Sequence, residues 1–129
     1  MPLTAVLHGL KGRQTLTLGE KQRLFARLVS QLLHRVHSTG YECALAWCYR
    51  PPEASALYAV RKLGIPNSLH GSKLAIDLDL FKDGVYLRDS GSHAALGEFW
   101  KSLHPDCRWG GDFKRRDGNH YSMQHEGRA

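Results

Sequence analysis

Two short stretches bring together residue types that hold metals and move protons: SLHGSKLAIDLDLF, residues 68 to 81, and DGNH, residues 117 to 120. In the first, His70 sits in a Gly-Ser turn and Asp77 in an alternating Leu/Ile and Asp run. Side chains alternate with period two along a strand, so Leu74, Ile76, Leu78 and Leu80 face one way, and Ala75, Asp77, Asp79 and Phe81 the other. An ionised Asp on that second face must be solvated, paired with a cation or bound to a metal. Fully extended, the seven residues from His70 to Asp77 would span about 23 Å, so a shared ion requires the chain to turn back, and Gly71-Ser72 offers the place. Two ligands do not hold zinc. A third must come from His8, His34, His37, His93, His104, His120 or His125, and His120 stands out because Asp117 precedes it by three residues across Gly118-Asn119. On this reading His70, Asp77 and His120 hold Zn²⁺, which acidifies a water and polarises a carbonyl, and Asp117 acts as general base and then general acid. The residues alone leave plainer readings open. His70 can be a loop histidine, Asp77 the partner of a basic side chain, and Asp117 and His120 turn residues in a polar loop.

The elements that must position these residues are legible in outline. Thr17 and Glu20 have capping-box spacing ahead of an amphipathic run with Leu24, Leu28, Leu32 and Val36, which predicts a helix ending at Gly40. His34 and His37 fall in its last turn as surface or packing residues. YECALAWCY, residues 41 to 49, reads as a strand stopped by Pro51-Pro52. EASALYAVRKLG then reads as a second helix, with Leu57, Val60 and Leu63 at three-residue spacing, closed by Gly64. Leu74 to Phe81 form a strand, Lys82-Asp83-Gly84 a hairpin turn into residues 85 to 88, and residues 92 to 104 a third helix ended by Pro105. The tail holds a Gly-rich turn WGGDF, a basic loop KRRDGN and a short strand HYSMQ. This order gives an α+β fold, with a small central antiparallel sheet flanked by helices.

With 129 residues and 42% hydrophobic content, the chain suits one domain, residues 1–129, with an N-terminal helical segment over 1–39 and a core over 40–125. No stretch approaches the roughly 20 apolar residues of a membrane span, and the N-terminus lacks the pattern of a signal peptide. The expectation is a protein that is not membrane-inserted. Cys43, Cys48 and Cys107 are odd in number and show no CxxC spacing, which indicates neither a disulfide framework nor a cysteine zinc cluster and predicts free thiols. A net charge of +6 favours a polyanionic partner. No aromatic residues interleave with the basic ones as a base-stacking platform requires, so nucleic acid is not the expected partner.

Ser68-x-His70-x-x-Lys73-x-Ala75-x-Asp77 resembles the SxHxxGxAxD signature of the zinc D-Ala-D-Ala carboxypeptidase and dipeptidase family, whose small fold is shared with lysostaphin and the hedgehog signalling domain. Asp117-x-x-His120 resembles that family's second motif, an acidic residue three before the last zinc ligand. The likeness is nearest to phage endolysins that cut between L-Ala and D-Glu in peptidoglycan stem peptides, which also carry a stretch resembling Trp109-Gly-Gly-Asp112-Phe113. Tyr49-Arg50-Pro51 falls where the family has its YR[ST] segment. The departures are Lys73 in place of Gly and a second proline, Pro52.

The resemblance implies a hedgehog/D-Ala-D-Ala-peptidase-like fold, with zinc on His70, Asp77 and His120 and catalysis by Asp117. Arg50 would bind a substrate carboxylate or steady the oxyanion, Ser68 would lie at the substrate, and Trp109 and Tyr121 would line the groove, core packing being the other reading for these two aromatics. Asp79 is expected as a supporting carboxylate, not a ligand. The function implied is a zinc endolysin acting on peptidoglycan, monomeric, held in the host bacterial cytoplasm until released to the wall. The alternatives are a D-Ala-D-Ala carboxypeptidase or dipeptidase, and, in another class, a non-catalytic zinc-stabilised module binding wall polymer or another polyanion.

Overall fold

The computed structural model describes residues 15–61 and 68–129. Helix α1, Leu18–Ser38, starts with a complete capping box: Glu20 N–H donates to Thr17 Oγ1 (3.2 Å) and Thr17 N–H to Glu20 Oε1 (3.0 Å). It ends ahead of Gly40, whose φ of 88° is a backbone state that glycine adopts without strain. The stripe Leu24, Phe25, Leu28, Leu32 and Val36 is buried as its spacing predicts, and His34 and His37 are exposed. After α1 come β1 (Glu42–Leu45), α2 (Pro52–Val60), a 3₁₀ turn (Leu69–Ser72), β2 (Ala75–Lys82) and β3 (Val85–Leu87). A second 3₁₀ turn (Ser90–His93) leads into α3 (Ala94–Leu103), then β4 (Cys107–Trp109), a third 3₁₀ turn (Gly110–Asp112) and β5 (His120–Met123).

The sheet is antiparallel, in the order β1-β2-β5-β4, with β3 also paired to β2. The expected α+β architecture is therefore present. Strand β2 is its spine: residues 75 to 77 pair with β5, residues 78 to 81 with β1, and residues 80 to 82 with β3. The hairpin turn between β2 and β3 has positive φ at both Asp83 (51°) and Gly84 (76°), which suits the twist of a two-residue connection. Leu74, Ile76, Leu78 and Leu80 form the core face under α1 and α3. There Trp100 is fully enclosed, packs edge-on against Phe25 and Tyr121, and donates its indole N–H to Ser122 O (3.0 Å). The N-terminus of α1 is tied to the far end of the sheet by Lys21, whose buried Nζ donates to Gln124 O (2.9 Å) and pairs with Asp106 (3.2 Å).

Three features depart from the sequence pattern. The strand expected over residues 41 to 49 ends at Leu45, because Ala46 N–H donates to Asp77 O (2.9 Å) while Asp77 N–H donates to Trp47 O (2.8 Å). Two residues thus oppose Asp77, a bulge that breaks the alternation beside the candidate site. Helix α2 forms, but Leu57 (46% exposed) and Val60 (81%) do not face the core. Its start comes from Pro52 in the first turn, and its apolar residues are spread around the axis without forming a stripe. The expected closure at Gly64 lies outside the described residues. Strand β4 was not anticipated, since Cys-Arg-Trp is too short to display a period and is defined by its pairing with β5.

Candidate metal centre and active site

The register of β2 against β5 sets Asp77 directly opposite His120, so both side chains rise from the face of the sheet away from the core. His70 arrives from the 3₁₀ turn that folds the chain back before β2, as the reach argument requires. Ser68 caps that turn, accepting from His70 N–H (3.2 Å). The turn closes through Lys73 at φ 57°, a left-handed position that explains why the related signature places glycine there.

Among the described residues, His70, Asp77 and His120 each offer one ligand atom, and these atoms lie within 4.8 Å of one another. Asp77 Oδ1 is 3.3 Å from His70 Nε2 and 3.2 Å from His120 Nδ1. A tetrahedral ion with bonds of about 2.0–2.1 Å needs ligand atoms about 3.3 Å apart, so the two separations to Asp77 Oδ1 fit zinc. The tautomers agree. His70 Nδ1 faces Cys48 O at 3.2 Å and so carries the proton, which leaves the Nε2 lone pair aimed at a carboxylate oxygen. Two electron-rich atoms in that relation require a proton or a cation between them. Burial would raise the Asp77 pKa, but hydrogen bonds and charge from His120 and His70 outweigh it and hold the carboxyl at about 2. His120 Nε2 is buried with no hydrogen-bond partner.

Asp117 lies at the exposed rim. Its pKa is raised, first by desolvation and then by the Asp77 carboxylate, while His120, His70 and Arg115 pull the other way. A carboxyl poised upward beside a ligand set suits proton transfer. Its loop is held rigidly. Asp117 N–H donates to Gly110 O (2.9 Å), His120 N–H to Asp117 O (3.1 Å), Gly118 N–H to Ser90 Oγ (2.9 Å), and Trp109 Nε1–H to Gly118 O (2.7 Å). A Cβ on Gly110 would collide with Asp117 O and crowd His120 Cβ. Gly110→Ala is therefore expected to displace both residues, weakening zinc binding and lowering stability by about 1–3 kcal/mol, read by calorimetric titration and urea unfolding.

Arg50 is buried (6% exposed), with its guanidinium against the rings of Trp47 and Tyr58 and one nitrogen 3.8 Å from Asp77 Oδ2. The Arg50 backbone N–H donates to His70 O (3.3 Å), and its side-chain Nε has no partner among the described residues. Pro51 and Pro52 begin α2 immediately afterwards and fix the chain direction. Asp79 stands two residues beyond Asp77, accepts from Tyr86 Oη (3.3 Å), and is not in the ligand group.

Of the two readings for Trp109 and Tyr121, groove lining and core packing, the structure gives core packing. They oppose each other in the β4–β5 pairing and Tyr121 opposes Ile76, so register puts both on the core face. Trp109 is 4% exposed and Tyr121 0%, which leaves neither a surface for substrate. Ser68 (7% exposed) likewise serves the turn that presents His70. Sequence reasoning missed the Cys48 carbonyl, for which side-chain identity gives no signal, and Ser90, which holds the Asp117 loop. It also left His93 as one of many histidines. His93 is buried, with Nδ1 2.8 Å from Tyr121 Oη.

Burial lowers the His93 pKa below its ordinary 6.5 against the pull of Asp89 and Asp79, so the fold accommodates the neutral ring. Stability from this group is complete above about pH 6.5 and is lost as pH falls, because the unfolded chain binds a proton that the folded chain resists. Urea unfolding of metal-free protein at pH 7 and pH 5.5 should show a drop that is smaller in His93→Gln. Equal drops would exclude this source.

No protein-family model matches the chain, and no curated protein matches it in sequence. Solved structures do. The Serratia marcescens L-Ala D-Glu endopeptidase ChiX superposes with a TM-score of 0.66 at 16% identity, covering 92% of this chain and 95% of ChiX. A mutant of the vancomycin-resistance D,D-pentapeptidase VanY from a VanB-type resistance cassette, in complex with Zn(II), superposes with a TM-score of 0.54 at 16% identity, covering 77% of this chain and 70% of VanY. The fold of this chain is therefore that of these two peptidases, as the motif resemblance implied.

Proposed function

We propose that this chain is a zinc-dependent peptidase of bacterial peptidoglycan that hydrolyses the L-Ala–D-Glu bond of stem peptides, as an endolysin. The observation that carries the reading is the convergence of His70 Nε2 and His120 Nδ1 on Asp77 Oδ1, at 3.3 and 3.2 Å, with Asp117 at the rim. A zinc ion held by these three residues would supply acidity to a water and polarise the scissile carbonyl. Asp117, with its raised pKa, takes the proton of the attacking water and passes it to the leaving amine. Arg50, held against Trp47 and Tyr58, offers a fixed guanidinium to a substrate carboxylate or to the charge that develops on the carbonyl oxygen.

Likeness to ChiX over nearly the whole of both chains supports the endopeptidase assignment. Likeness to VanY supports a second reading, removal of a terminal D-Ala. Resemblance to phage endolysins supports a monomer that waits in the host cytoplasm before release to the wall. Mass spectrometry of digested peptidoglycan separates the two chemistries: new D-Glu amino termini are expected. Released D-Ala would replace the first reading with the second, and no new termini would sink both.

A further inference from the structure

We propose that the cleft between α1 and α3 is a second binding site, for a phosphodiester-bearing polymer of the bacterial envelope. The cleft has a volume of about 430 Å³, within the range of ligand sites, and is lined by Arg27, Gln31, His34 and Arg35 of α1 and Phe99 of α3. Both helices pack on the Leu/Ile face of β2, so the sheet separates this cleft from His70, Asp77 and His120. The two sites belong to opposite sides of the molecule.

Charge gives the cleft its meaning. Helix α1 contains one acidic residue, Glu20, which is used in the N-terminal capping box. From there to its end α1 carries Arg23, Arg27 and Arg35, and no ion pair joins any of the three to a carboxylate among the described residues. Arg23 and Arg27 stand four apart, a spacing at which like charges repel across a helix face. Glu98, the acid of α3, pairs with Lys101 (2.9 Å). The cleft residues Arg27 and Arg35 therefore keep their positive charge, which an anionic ligand would neutralise.

Geometry selects the kind of anion. The Arg35 guanidinium lies over the Phe99 ring, 4.9 Å from its centroid, which orients the group while leaving its N–H edge available. Ser30 and Ser38 donate to Arg27 O (2.6 Å) and Arg35 O (3.2 Å), so the donors left for a ligand are the guanidiniums, His34 and the Gln31 amide. Arg27 and Arg35 are eight residues apart, about 12 Å along the axis, so the cleft offers two separate cationic positions. Guanidinium forks bind phosphate oxygens in pairs. Among phosphodiester polymers the choice of an envelope polyol phosphate rests on the peptidase reading above, which puts the protein at the bacterial wall.

The test is binding of purified polyglycerol phosphate to the full chain by calorimetry at low and high salt, beside an Arg27→Gln, Arg35→Gln double variant. Inorganic phosphate and vesicles of phosphatidylcholine with phosphatidylglycerol serve as comparisons. The polymer should bind at low salt, release at high salt, and bind the double variant roughly tenfold more weakly. Hydrolysis of a soluble stem peptide should be the same in both proteins. Undiminished polymer binding by the variant overturns the site, and binding to vesicles but not to the polymer overturns the ligand. Binding is read without hydrolysis, so the proposal and the peptidase reading can fail separately.

Discussion

His120→Ala will leave a folded chain that has lost its zinc affinity by more than a hundredfold and hydrolyses no peptidoglycan above background. Mutating outer-shell partners of a metal site typically costs 10- to 100-fold in affinity, and in the proposed site His120 would be a ligand itself, one of the three grouped among the described residues. Its removal leaves His70 and Asp77, which cannot hold zinc in a closed tetrahedral site. The fold should survive, because the imidazole stands on the face of the sheet away from the core while Tyr121 and Met123 anchor β5. Equilibrium dialysis against zinc and circular dichroism check the two halves of this statement. Full zinc affinity in the variant would remove His120 from the site.

Asp117→Asn is expected to behave differently. It preserves shape and the backbone bonds to Gly110 and His120, so zinc affinity and melting temperature should stay close to those of the unaltered protein. An amide cannot accept the proton of the attacking water. The turnover number should fall by about 10²- to 10⁴-fold, the usual contribution of a positioned acid–base group, with little change in KM. Bacteriolytic activity that survives Asp117→Asn yet disappears on metal removal would favour the non-catalytic wall-binding module instead.

Much of the site could be read before the fold was known, because its constraints are local. The period-two alternation of β2 separated Leu78 and Leu80 from Asp77 and Asp79, and the reach of the chain demanded the turn that the structure builds at Leu69–Ser72. The pairing of Asp117 with His120 was legible as spacing. What the sequence concealed depends on partners distant along the chain. Trp109 and Tyr121 look like groove residues in an isolated loop, and only the β4–β5–β2 register turns them into the core. The truncation of β1 follows from a bulge opposite Asp77 that no residue type announces. The orientation of His70 rests on a backbone carbonyl, at Cys48, that every residue carries. Likewise Arg27 and Arg35 look scattered in sequence, and become a cleft only when α3 brings Phe99 beside them.

The most direct test of the central claim is hydrolysis of a soluble disaccharide stem peptide by metal-free protein as zinc is added back. Activity absent at the start, rising in proportion to zinc and levelling at one ion per chain, is the result predicted from His70, Asp77 and His120. Hydrolysis undiminished in the metal-free protein, or none at any zinc level, would contradict it.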